Sequence, residues 1–138
     1  MILRPALTSE LHEILRFWTT AAENDSRPAD TAEALAALHR RDDQALIVAL
    51  DGERIVGTVI AGWDGWRCHL YRLAVAPGRR REGIGAALID AAEERFRALG
   101  GTRVDAMVLD GNERGHAIWA ARGYRRQEDW SRWVKPLS

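Results

Sequence analysis

Residues 73–88 read LAVAPGRRREGIGAAL. An apolar strand breaks at Pro77, passes Arg79, Arg80 and Arg81, and enters a helix across Gly83, Ile84 and Gly85. That order of parts builds an anion site, because the first NH groups of a helix lack carbonyl partners and point outward with the positive end of its dipole. The missing Cβ atoms of Gly83 and Gly85 let ligand oxygens approach the backbone, and guanidinium groups suit phosphate. Taken alone, the same turn also fits a solvated basic loop whose glycines serve only the bend. Neither GxGxxG nor GxxxxGK[ST] occurs here, so the pattern is not that of a dinucleotide or nucleoside triphosphate site.

Working outward, Ile84, Leu88, Ala91, Ala92, Phe96 and Leu99 recur on one face of a long helix that Gly100 and Gly101 close. A strand over 103–109 follows, and a helix between two strands predicts that they run parallel. On the other side, 67–75 is a strand, the Trp63-Asp64-Gly65-Trp66 turn precedes it, and 45–50 and 54–62 form a hairpin about Asp51-Gly52. The N-terminal part gives a short strand over 2–6 and a helix capped by Thr8 or Ser9 with Leu11, Ile14, Leu15 and Trp18 inward. A loop over 22–29 and a second helix, with Asp30 and Glu33 spaced as a capping box, come next. After Asp110-Gly111, Asn112 caps a last helix that stops at Gly123. Residues 124–134 are expected as a final strand or hairpin. The sum is an α/β (α+β) fold with a mixed, mostly antiparallel sheet and about four flanking helices, in one domain over 1–138.

Bulk properties remove several function classes. Twenty basic and twenty acidic residues cancel, so the global attraction expected of a dedicated nucleic-acid or membrane-surface binder is missing. Cys68 is the single cysteine, which excludes an intrachain disulfide, disfavours a cysteine metal site and fits a reducing, cytoplasmic setting. His12, His39, His69 and His116 are too scattered for a zinc ligand set, and no metal is expected. No run of eighteen apolar residues occurs. The six tryptophans include Trp63, Trp66, Trp130 and Trp133 near strand ends, where they serve packing or ligand contact.

A second segment narrows the ligand. Residues 112–124 read NERGHAIWAARGY, one strand after the glycine turn. Val75, Pro77, Arg80, Gly83 and Gly85, taken with Asn112, Gly123 and Tyr124, resemble the two motifs of the Gcn5-related N-acetyltransferase (GNAT) superfamily, V-x-P-x-x-R-x-x-G-x-G and N-x-x-A-x-x-[FY]-Y-x-x-x-G-[FY]. Gly115 departs from the usual alanine, and Trp119 from the usual tyrosine. The strand order, the opening Arg4-Pro5 strand and the 63–66 turn are similar to small bacterial members. The resemblance implies acetyl-CoA as cosubstrate and a primary amine as acceptor, in a monomer or homodimer. It implies that the backbone of Arg80, Arg81, Glu82, Gly83, Ile84, Gly85 and Ala86 holds the pyrophosphate and that Leu73, Ala74 and Val75 pair with the pantetheine arm, with Asn112 and Trp119 nearby. The Val75 NH would serve as oxyanion donor.

Amine attack requires removal of a proton from an ammonium with a pKa of about 10. By strand alternation His69, Tyr71, Leu73 and Val75 share a face. His69 stands where several lysine-acetylating relatives of the superfamily carry a carboxylate base, and an unperturbed imidazole is chemically able to accept a proton near neutral pH. His69 is therefore the candidate base, with Tyr71 orienting substrate or water; a strand histidine that only packs is the alternative. Trp119 cannot protonate a thiolate as tyrosine can and is either a wall of the thioester site or core. Recognition of the acceptor falls to 22–29, the 63–66 turn and the chain end, where Glu23, Asp25, Asp30 and Asp64 either attract a cation or are merely solvated. The acceptor stays open between a small amine and a protein amine, and a regulatory acetyl-CoA-binding module without turnover is the competing reading.

Overall fold

The computed structural model describes residues 1–21 and 30–137. Among these, β1 (Ile2–Pro5), β2 (Leu46–Asp51), β3 (Arg54–Trp63), β4 (Cys68–Val75) and β5 (Val104–Ala106) form one sheet in sequence order. The first four strands pair antiparallel and β4–β5 pair parallel, as the crossover helix requires. The helices are α1 (Leu11–Ala21), α2 (Ala32–Arg41), α3 (Ile84–Leu99) and α4 (Glu113–Ala121). No helix of the described residues is long and apolar enough to cross a membrane.

Each face of the sheet has its own core. On one, Ile84, Leu88, Ile89, Ala92 and Phe96 of α3 and Trp119 of α4 pack on Val56, Val59, Ala61, Cys68 and Leu70. On the other, Leu11, Ile14 and Trp18 of α1 and Leu35 of α2 cover Leu46, Val48, Leu50, Ile55 and Ala74. Side chains of this size contribute about 1.5–3 kcal/mol each when fully buried, which makes the α3 row the main anchor of the helix that begins at the glycine turn. Gly57 lets α3 lie close, since a Cβ there would stand 2.9 Å from both Ile84 Cγ2 and Leu88 Cδ1.

The cores explain the sequence periods, and the caps differ from expectation in detail. The first helical residues are a 3-10 turn at Thr8–Glu10, where Glu10 accepts the Leu7 NH at 2.8 Å and Arg4 grips both Glu10 oxygens at 2.8 Å. Thr31, not Asp30, caps α2, its hydroxyl accepting from the Ala34 NH at 3.0 Å. The strand expected over 103–109 is ordered as strand only at Val104–Ala106. Residues 124–137 contain no strand, correcting the expected final strand or hairpin. Trp130 and Trp133 there are exposed, so their apolar surface has no sheet face to cover and the alternation that supports a strand is absent.

One irregularity organises everything near the glycine turn. Thr58 pairs with Ala74 and Ile60 with Tyr71, so β4 carries one residue more than β3 between these pairs. Arg72 takes up the excess with φ 51, the left-handed conformation that costs a non-glycine residue about 1–2 kcal/mol. This is a β-bulge. Strict alternation therefore fails at Arg72: Tyr71 lies opposite Ile60 and His69 opposite Gly62 on the α1/α2 face, whereas Leu73 and Val75 pack on the α3 side. The expected common face of His69, Tyr71, Leu73 and Val75 is thus corrected, because the extra residue reverses the parity of the strand.

Candidate active site

β4 and β5 hold together over only three register pairs, Cys68–Val104, His69–Asp105 and Leu70–Ala106. Beyond Leu70 the β5-side edge of β4 has no strand partner among the described residues. Its NH and C=O groups face an opening between the two strands, the kind of edge onto which an extended chain can add. The opening leads toward the start of α3: a Cβ on Gly85 would lie 3.7 Å from Val75 Cγ2 and 3.8 Å from Ile118 Cδ1 of α4.

At that helix start, the first backbone bond into the helix runs from the Ala87 NH to the Gly83 carbonyl at 3.0 Å. The NH groups of Ile84, Gly85 and Ala86 precede it and are free for a ligand. Gly83 caps the helix with φ 83 and no side-chain cap, and Arg81 two residues earlier has φ 70. Left-handed residues so placed can turn successive NH groups toward one point, the backbone geometry of an anion-binding concavity. The 16-residue α3 adds its dipole. Ile84 is buried and Glu82 bonds Arg79, so both offer backbone only.

The three arginines divide the work. Arg79 is committed: its Nη1 donates to Asp51 Oδ2 at 2.7 Å and its Nε to Glu82 Oε1 at 2.9 Å, fastening the loop to β2 and holding the Asp51 carboxyl below its ordinary range. Arg80 and Arg81 make no ion pair with the described residues. Of the three arginines in the turn, Arg79 is thus engaged within the protein.

Within the protein, the residues of the second motif make structural contacts. Asn112 caps α4, its side chain accepting from the Gly115 NH at 2.9 Å. A Cβ at 115 would press on the capping Asn112 side chain in this arrangement. Trp119 is core, 7% exposed and edge-on to Tyr124 with centroids 4.9 Å apart. The Tyr124 hydroxyl donates to Glu93 Oε2 at 2.7 Å, and burial together with this carboxylate raises its pKa far above the ordinary tyrosine value.

Of the polar groups by β4, His69 and Tyr71 stand together with ring centroids 6.0 Å apart. Tyr71 is 43% exposed, and partial burial raises its pKa. His69 Nδ1 is 4.0 Å from Asp105 Oδ2. The acidic residues considered for an amine are otherwise employed: Asp30 accepts from Arg72 Nη2 at 2.8 Å, and Asp64 accepts the Trp66 and Arg67 NH groups at 2.8 and 2.6 Å, which hold its carboxyl below the ordinary range. Glu23 and Asp25 lie outside the described residues. His116 bonds the Leu109 carbonyl at 3.0 Å. Among the described residues no group of three or more His, Cys, Asp and Glu side chains could hold a metal ion. Sequence reasoning missed Arg72, Thr58 and Asp105; an acid inside the apolar run VDAMVL was the available signal for the last.

Comparison with known proteins bears on the family and the fold. The model of the acetyltransferase (GNAT) family matches residues 8–124. An acetyltransferase of Pectobacterium atrosepticum is 38% identical over 76 residues, 55% of this chain and 53% of that protein, so the match spans about half the relative's length. The crystal structure of Ard1 from Thermoplasma volcanium superposes with a TM-score of 0.80 at 20% identity, covering 92% of this chain and 84% of that one. That of Rv2747 from Mycobacterium tuberculosis, solved in complex with CoA, gives 0.72 at 22% identity over 93% and 74%.

Proposed function

As the chain belongs to the acetyltransferase (GNAT) family, we propose that it is an N-acetyltransferase, one domain over residues 1–138, that moves an acetyl group from acetyl-CoA to a primary amine by direct attack in a ternary complex. One observation carries the reading: β4 and β5 part after Leu70 and Ala106, beside the open N-terminus of α3. A family fold with a solved neighbour that holds CoA supports the choice of ligand.

Bound acetyl-CoA supplies an acetyl group activated as a thioester and leaves as a thiol. The NH groups of Arg80 to Ala86 hold the pyrophosphate, Arg80 and Arg81 add charge, and the free edge at Leu73, Ala74 and Val75 pairs with the extended arm. The Val75 NH donates to the thioester oxygen and stabilises the charge that grows there. An arm lying in the plane of the sheet leaves its two faces for approach. Leu73, Val75 and α3 close one; His69 and Tyr71 stand on the other. The amine enters from the His69 side and gives its proton to the imidazole, directly or through a water that Tyr71 orients. Trp119 is committed to packing, so water protonates the thiolate, which a thiol pKa of about 8.5 makes a tolerable leaving group.

The acceptor is a primary amine, either small or on a protein. Incubation with acetyl-CoA and a panel of polyamines, amino acid amides and lysine peptides should release thiol and give a product 42 Da heavier, the mass that replacing an N–H hydrogen by acetyl adds (roughly, for one transfer). The burial of Trp119 where the family motif carries tyrosine favours a second reading, a CoA-binding module without turnover. Tight CoA binding with no thiol release across the panel would select it.

A further inference from the structure

We propose that Asp105 is a positioning residue for His69: across the parallel β4–β5 pair its carboxylate keeps the single proton of the neutral imidazole on Nδ1 and so leaves the Nε2 lone pair for the acceptor amine. The inference rests on the reading of His69 as the base. His69 and Asp105 are direct register partners, one pair before the strands part, which sets the couple at the closed end of the opening. Nδ1 and Oδ2 are 4.0 Å apart, an ion-pair separation rather than a hydrogen bond. The other oxygen, Oδ1, accepts from Arg103 Nε at 3.1 Å, which fixes the carboxylate and turns Oδ2 toward the ring.

The arrangement has a chemical consequence. A neutral imidazole carries one proton, and a carboxylate near Nδ1 favours the tautomer that points N–H at it. When the amine proton moves to Nε2, the ring becomes an imidazolium with both protons, and Asp105 stays ionised beside it. The attraction grows only as the proton is transferred, so it favours the transition state over the ground state. The other charged or titratable groups about His69 are Tyr71 on β4, Asp64 in the turn before it, and Arg132 of the chain end, which lies near Tyr71. Nε2 of His69 makes no hydrogen bond with the described residues.

Nitrogen NMR of protein labelled in its histidine rings, with His69 assigned by loss of its signals in His69→Gln, reads the tautomer without any substrate. The wild type should show the Nδ1–H form in excess, Asp105→Asn a mixture of both forms, and Asp105→Glu a return toward Nδ1–H. With the amine acetylated fastest in the panel, Asp105→Asn should lower kcat about tenfold and leave KM for acetyl-CoA unchanged. An Nε2–H form in the wild type, or an unchanged tautomer in Asp105→Asn, overturns the role of Asp105. Full turnover by His69→Ala overturns instead the reading of His69 as base.

Discussion

The Thr58 hydroxyl donates to the Arg72 carbonyl at 2.9 Å while accepting the Trp18 indole NH at 2.8 Å. Thr58 is fully buried, and it links α1, β3 and the bulged β4. A bulge displaces a residue from the ladder and leaves its polar groups without regular partners; here a threonine one strand away satisfies the carbonyl. The bulge in turn puts His69 and Tyr71 on one face of the sheet and Val75 on the other. A single buried hydroxyl thus supports the geometry on which the proposed chemistry depends.

Thr58→Val keeps the shape and deletes the hydroxyl. The Arg72 carbonyl and the Trp18 NH would each lose this hydrogen bond, and deleting one partner of a buried hydrogen bond costs about 1–3 kcal/mol. Urea unfolding should show a loss of about 2–4 kcal/mol, with turnover falling more than acetyl-CoA affinity because the bulge orients β4 rather than the helix start. A loss below about 0.5 kcal/mol would show that water replaces the hydroxyl.

Gly83→Ala addresses the anion site. The added Cβ meets nothing within 4 Å, so any effect arises from the backbone, whose φ of 83 is costly for an L-residue by about 1–2 kcal/mol. Relaxation would turn the Ile84 and Gly85 NH groups away from their common focus. Calorimetry should find acetyl-CoA affinity reduced about tenfold, the equivalent of about 1.4 kcal/mol, with the helix content unchanged.

The legibility of this fold followed the range of the interactions that make it. The glycine turn, the α3 period from Ile84 to Phe96, the Asp51-Gly52 hairpin and the Asn112 cap are local, and each appears in the sequence within a few residues. The bulge is not local, since Arg72 adopts its conformation because Thr58, fourteen residues away, and Asp30, forty-two away, hold its carbonyl and its guanidinium. No period announces it, and simple alternation fails beyond it. Asp105 escaped for the same reason: its meaning comes from the parallel register that brings it beside His69. The tail misled in the opposite sense, because its tryptophans look like strand residues but have no sheet face to cover.

Trp119→Tyr restores the residue usual at this position of the family motif. Trp119 fills core space against Tyr124, and a smaller ring there leaves a void costing about 1–3 kcal/mol. Thermal unfolding should come earlier and kcat should fall. A rise in kcat would mean instead that a missing proton donor had limited the reaction.

Acid stability should depend on Glu10. The hydrogen bond from Arg4 holds its carboxyl below the ordinary range, assisted by the Leu7 NH. A value depressed in the folded state gives stability that is full above the unfolded pKa of about 4.3 and is lost as pH falls through the lower folded value. Glu10→Gln should be less stable than the wild type at neutral pH and lose less on acidification, so urea midpoints of the two converge below about pH 4.

The contacts of acetyl-CoA with the backbone decide whether the proposed binding mode holds. Titration of nitrogen-labelled protein with acetyl-CoA, followed by amide NMR, should move the signals of Val75 and of Arg80 to Ala86 together in one saturable event, with the α2 amides unmoved. Saturable shifts confined to other segments, or none at these residues, would contradict it.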